Sequence, residues 1–170
     1  IDGMKIVETP DNRLSLLDPE FAGWYVEGPT TTGALGVEYT QIPLHQVTAH
    51  PYTFAAMVSN TGVLPQTSKL NVVVYDAGFN GVLSTESSTN VLNASDTATL
   101  TALDNFTPLS TDDFYFAFWA SSNDTITDTI IKSSSVTDTV YARDDGNDYA
   151  DRELGRDCGS MEMGNYFDVY

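Results

Sequence analysis

Side chains that alternate apolar and polar at every second position leave a chain few options, because a period of 2 sorts them onto the two faces of an extended strand. That pattern recurs along most of this 170-residue sequence. In "YTFAAMVSN", Tyr52, Phe54, Ala56 and Val58 share one face, with Thr53, Met57 and Ser59 on the other. "KLNVVVYDA" is rich in β-branched residues and stops at a turn signal, Asp76 and Gly78. "TATLTAL" sets Ala98, Leu100 and Ala102 against threonines. "DDFYFAFWASSN" places Phe114, Phe116 and Phe118 on one face and Tyr115, Ala117 and Trp119 on the other. A strand apolar on both faces belongs in the middle of a sheet or under a covering element.

Turn-forming clusters separate these runs: "SNTG", "DAGFNG", "TPLSTDD" and "SSND". Short strands at intervals of about 10 residues, without a helical period, predict an all-β fold, an antiparallel immunoglobulin-like β-sandwich. Residues 11–136 hold about seven or eight strand candidates, the number such a sandwich needs. One short helical turn is expected around "PLSTDDF". The ends do not fit inside the sandwich. "IDGMKIVETPDN" reads as one apolar strand with a proline-containing exit, and "TVYARDDG" to "GNYFDVY" as strand, glycine-containing polar stretch and final strand. Residues 1–10 are therefore assigned to a preceding module and 137–170 to a following one.

Composition excludes several functions. Seven basic residues face 24 acidic ones, a formal net charge of −17. Nucleic acid and anionic membrane surfaces repel such a chain, whereas divalent cations are attracted. No apolar run is long enough for membrane insertion. Hydrophobic residues make up 41% of the chain, enough for a packed core. The single cysteine, Cys158, cannot close a disulfide within the chain. The first residue is Ile1, and no signal-peptide pattern follows it, which points to a processed product or a segment of a longer protein.

The ordered series "IDGMKIVETPDNRLSLLD", "YTQIPLHQV", "YTFAAMVSNTG", "KLNVVVYD" and "TDTVYARDDG" resembles the modular surface and secreted proteins of Bacteroidota. In that family, jelly-roll modules alternate with immunoglobulin-like ones. The resemblance implies partial jelly-roll modules at both ends, export by the type IX system, and an extracellular or cell-surface location. It also implies a place in adhesins, extracellular filaments or enzyme appendages. It rests on strands and turns, and no catalytic motif contributes to it.

The acidic stretch "DDGNDYAD" offers Asp144, Asp145, Asn147, Asp148 and Asp151 around Gly146. Calcium takes six to eight oxygen ligands, which clustered Asp and Asn side chains with backbone carbonyls can supply. Calcium is the one cofactor the sequence suggests, although the spacing is not that of an EF-hand. The same residue types also build exposed turns. Carboxylates adjacent on one loop do not straddle a glycosidic bond, so no hydrolase is expected. His45 and His50 would lie on opposite faces of an extended chain, without a third zinc ligand nearby. Serine lacks a nucleophile-elbow context. Cys158 has acidic neighbours, Asp157 and Glu162, which oppose a reactive thiolate.

Two further features bear on partners. Among Trp24, Tyr25, Tyr39 and Trp119, the pair Trp24 and Tyr25 in "EFAGWYVEGPTTTGALG" are the candidate glycan contacts, whereas a strand interior explains Trp119 equally well. Asp-Thr followed by a small or branched apolar residue occurs four times, at Thr97, Thr125, Thr129 and Thr139. This resembles the O-glycosylation sequon of exported Bacteroidota proteins, although threonine in strands and aspartate in turns also produce it. The expected function is a non-catalytic structural or adhesive module of a filament or surface protein. Its partners would be copies of itself or adjacent modules, joined by strand pairing. The alternative is a glycan-binding or accessory module of a secreted enzyme.

Overall fold

A computed structural model describes residues 8–22 and 40–138. Among the described residues, nine strands and one short helix occur in the order β1 (Leu14–Ala22), β2 (Gln41–Pro43), α1 (Leu44–Ala49), β3 (Thr53–Asn60), β4 (Gln66–Tyr75), β5 (Gly81–Glu86), β6 (Asn90–Leu92), β7 (Thr97–Thr101), β8 (Asp112–Ser121) and β9 (Ile130–Thr137). They form two packed sheets, so the fold is an all-β sandwich. The smaller sheet has the order β1-β3-β7, and the larger β2-β9-β8-β4-β5, with β6 also on β4.

The alternation read from sequence is the alternation of burial. Phe114, Phe116 and Phe118 face the core, and β8 sits between β9 and β4 in the middle of the larger sheet. From the opposite sheet come Phe54, Ala56 and Val58 of β3 and Leu14 and Leu16 of β1. Phe116 is the hub, with ring centroids 4.6 Å from Phe21, 5.1 Å from Tyr52 and 5.5 Å from Phe54. Tilted and edge-on ring pairs at such distances add to the stabilisation from burial alone. Buried Gln66 is bonded at both ends of its amide, donating to Asn12 Oδ1 at 2.6 Å and accepting from Ser122 Oγ at 2.7 Å, whereas the buried Gln46 Oε1 has no hydrogen-bond partner.

One long side of the sandwich is laced shut. Thr85 Oγ1 donates to Asp104 Oδ2 and accepts from the Asp104 N–H, both at 3.1 Å, and Ser87 bridges to Ala102. The other side carries β1, which pairs only β3 among the described strands. Pro19 is tolerated there because an edge strand does not need every N–H. A bulge between Leu17 and Glu20, with Asp18 at φ 44°, twists that edge.

Three expectations need correction. Pairing is not antiparallel throughout, because β2 runs parallel to β9, with Gln41 opposite Ser135 and Pro43 opposite Thr137. β1 and β2 lie in different sheets, so their order along the chain does not by itself set how β2 pairs. No helical turn forms around "PLSTDDF": Leu109 to Thr111 bend, and β8 starts at Asp112, paired with Val136. Ladder pairing overrides local preference there. The helix lies instead at Leu44–Ala49, begun by Pro43 and anchored by fully buried Val47. His45 and His50 consequently sit on and just after this helix rather than on extended chain, and both are exposed.

Candidate binding face

The larger sheet has a second face, turned away from the core. Along β8 it carries Tyr115, Ala117 and Trp119, which alternate with the buried phenylalanines. Register places Tyr75 of β4 beside Tyr115, Val73 beside Ala117 and Asn71 beside Trp119. On the other flank, Ser133 and Ile131 of β9 lie beside Tyr115 and Ala117. Adjacent strands are about 4.8 Å apart, and Tyr115 and Trp119 are separated by about 13 Å along β8. Ala117 is only 5% exposed although it points outward, because larger neighbours surround it. The result is a shallow trough with Ala117 and Val73 as its floor and aromatic rings at both ends.

A fourth ring is added by the β4–β5 turn. Phe79 is 69% exposed and stacks on Tyr115, with centroids 5.1 Å apart and planes 16° from parallel. Its φ of 58° is unusual for a bulky residue and must be held by its surroundings. The turn supplies that hold. Phe79 N–H donates to Asp76 O at 2.9 Å, Asp76 N–H to Asn80 O at 3.1 Å, and Asn80 N–H to Asp76 Oδ1 at 2.8 Å. The Asn80 amide also donates to both Asp76 carboxylate oxygens. These bonds, the side-chain ones foremost, hold the Asp76 carboxyl below its ordinary range.

Charge is confined to the margins. Lys69 and Glu86 form an ion pair at one corner, and Asp113 accepts from Ser135 at the opposite one. Between them the face presents rings, methyls and neutral polar groups. Asn71 uses its amide N–H groups on Ser121 Oγ at 2.9 Å and Trp119 O at 3.4 Å, which leaves its carbonyl oxygen to accept.

The sequence-predicted sites fare unevenly. Thr97 and Thr129 are exposed and Thr125 is half-buried. Thr97 Oγ1 donates to Ser59 Oγ at 3.0 Å, and Thr125 N–H donates to Ser122 Oγ at 3.2 Å. Trp24, Tyr25, Thr139, Cys158 and the acidic set Asp144, Asp145, Asn147, Asp148 and Asp151 lie outside the described residues, as do both terminal strands. Among the described residues no three His, Cys, Asp or Glu side chains are grouped to hold a metal ion. No described helix is long and apolar enough to cross a membrane. Trp119 belongs to the outward face, half-buried, and Phe79 was not singled out from sequence at all. Its signal was an aromatic inside the turn "DAGFNG", where a ring without a packing role is out of place.

A separate groove of about 560 Å³ runs beside the β1 edge, lined by Leu14, Leu16, Ile126, Asp128 and Ile130 with Arg13 at its end. It brings together no cluster of reactive groups. No protein-family description and no curated protein sequence matches this chain.

Proposed function

We propose that the chain is a non-catalytic adhesive or structural module of an extracellular filament or cell-surface protein, assembled end to end with its neighbours by strand pairing. The observation that carries this reading is the outward aromatic face: Phe79, Tyr115, Tyr75 and Trp119 on a rigid sheet, accessible to a partner. Exposed apolar surface of this kind marks interaction sites. A sandwich with a dense aromatic core is a stable mount for such a face. The two packed sheets are compatible with an immunoglobulin-like arrangement, with the parallel β2–β9 pair as a local departure.

Export by the type IX route, O-glycosylation at the Asp-Thr sites and calcium at Asp144, Asp145, Asn147, Asp148 and Asp151 are parts of the same proposal. Their support is the sequence resemblance and the carboxylate density. Chelation should lower the protease resistance of the 139–170 segment, and Asp145→Ala with Asp148→Ala should remove that response. Identical digestion with and without chelator would leave these residues as a solvated acidic stretch.

The test of the main reading is immunolabelling of intact cells of the native source, with electron microscopy of whatever is labelled. Surface label in regularly spaced arrays is expected. Label confined to permeabilised cells would overturn it. The second reading, an accessory module of a secreted enzyme, is favoured by the same aromatic face. Intact mass and terminal sequencing of the native polypeptide would reveal an attached catalytic module.

A further inference from the structure

We propose that the outward trough binds a neutral polysaccharide, its pyranose rings laid against Trp119 at one end and at the other against Phe79, which Tyr115 backs. This inference rests on the reading of that face as the adhesive surface and specifies its ligand. Three observations select the ligand class. First, the aromatic rings are spaced along β8 rather than gathered into one apolar patch. About 13 Å separates Tyr115 from Trp119, which accommodates more than one ring of a chain-like ligand. Sugar rings present flat C–H faces that stack on aromatic π-surfaces, while their hydroxyl groups project at the edges. Second, neutral polar groups alternate with the rings: the Asn71 carbonyl oxygen, exposed Ser133 and Ser84, and the phenol groups of Tyr75 and Tyr115. A purely apolar partner would leave those groups buried and unpaired, at a cost. Hydroxyl groups would satisfy them.

Third, charge and backbone geometry reject the other polymers. The centre of the face is uncharged, and the whole chain carries −17, so nucleic acids and acidic polysaccharides are repelled. An extended peptide binds a sheet by adding to an edge, where backbone N–H and C=O groups are open. On this face the backbone groups of β4 and β8 are already used in ladders on both sides. A neutral amphipathic chain is what remains.

The full 170-residue chain tests this by affinity electrophoresis in gels containing xyloglucan, mixed-linkage β-glucan, galactomannan or the anionic control polygalacturonate. Retardation by at least one neutral polymer and none by polygalacturonate is expected. Phe79→Ala and Trp119→Ala should each weaken binding tenfold or more, whereas Leu109→Ala, 93% exposed on the loop before β8 and not part of the face, should not. Phe79 carries little packing load, so its variant should melt at the wild-type temperature and report on binding alone. No retardation by any neutral polymer, or undiminished retardation of both face variants, overturns the proposal. Attachment of chain-coated beads to intact cells separates the two readings. If Phe79→Ala abolishes attachment while no polysaccharide binds, the face is adhesive toward a protein and the glycan assignment fails. If Phe79→Ala changes neither, both readings fall together.

Discussion

The phenol oxygen of Tyr52 lies 2.8 Å from Ser134 Oγ, a buried contact between residues 82 positions apart. Tyr52 leads into β3 of the smaller sheet, and Ser134 belongs to β9 of the larger one, so this hydrogen bond spans the core. Ser134→Ala would leave the phenol oxygen buried without its partner, at a cost of about 1–3 kcal/mol. Tyr52→Phe removes the bond together with its polar group and should cost about 1 kcal/mol. Denaturant midpoints of the two variants, compared at unchanged slope, check the order.

Burial pushes the Tyr52 phenol well above its ordinary range, outweighing the opposing effect of the Ser134 bond. Up to about pH 10 tyrosine is neutral in both folded and unfolded chains, and Tyr52 adds no pH dependence. Above that, the unfolded chain releases the proton while the folded one retains it, so stability falls as pH rises. The decline should be shallower in Tyr52→Phe. Equal slopes in urea titrations between pH 9 and 11 would contradict it.

Asp76 behaves in the opposite sense. Its folded carboxyl is held below the ordinary range by Asn80, so its contribution is present above the unfolded value of about 3.9 and lost as pH falls through the folded one. Acidification to below the ordinary carboxylate range should therefore loosen the turn and separate Phe79 from Tyr115. Asp76→Ala should do the same at neutral pH, and Asp76→Asn, which still accepts from the Asn80 N–H, should restore part of the stack. Ring-to-ring nuclear Overhauser contacts between Phe79 and Tyr115 would report each case.

Asn60 organises the turn after β3. Its amide donates to Leu64 O at 2.8 Å and Leu92 O at 3.0 Å, and its side-chain oxygen accepts from Gly62 N–H at 2.9 Å. Asn60→Ala should cost about 2–3 kcal/mol because several buried groups lose partners at once. A Cβ on Gly62 would sit 2.6 Å from Asp11 O and 2.7 Å from Arg13 N, both backbone atoms, so Gly62→Ala must displace the segment leading into β1. Melting temperatures should fall for both, and an unshifted Gly62→Ala would show that this segment gives way freely.

Among the candidate glycosylation sites, accessibility predicts an order. Thr97 and Thr129 are exposed, whereas Thr125 is half-buried in a turn held by Ser122. Peptide mass spectrometry of native protein should find the first two occupied at least as fully as the third. Unmodified peptides throughout would return these pairs to strand-and-turn composition.

The period-2 alternation determined the strands, their inward faces and the central place of β8, because burial of an apolar face is a local pattern with one solution per strand. Turn residues such as Asp76 and Gly78 marked where β4 ends for an equally local reason. Sequence did not determine which edges meet. The parallel β2–β9 pair joins segments more than 90 residues apart in sequence, and the helix at Leu44–Ala49 is anchored by the burial of Val47 in the core. The outward face was legible only in part. Trp119 was visible as an aromatic on β8, but its neighbour Asn71, 48 residues away in sequence, is set by the register between β4 and β8, as is Tyr75 beside Tyr115. Phe79 over Tyr115 was decided by tertiary structure alone, because a turn's hydrogen bonds aim its ring at a strand the local sequence does not contain.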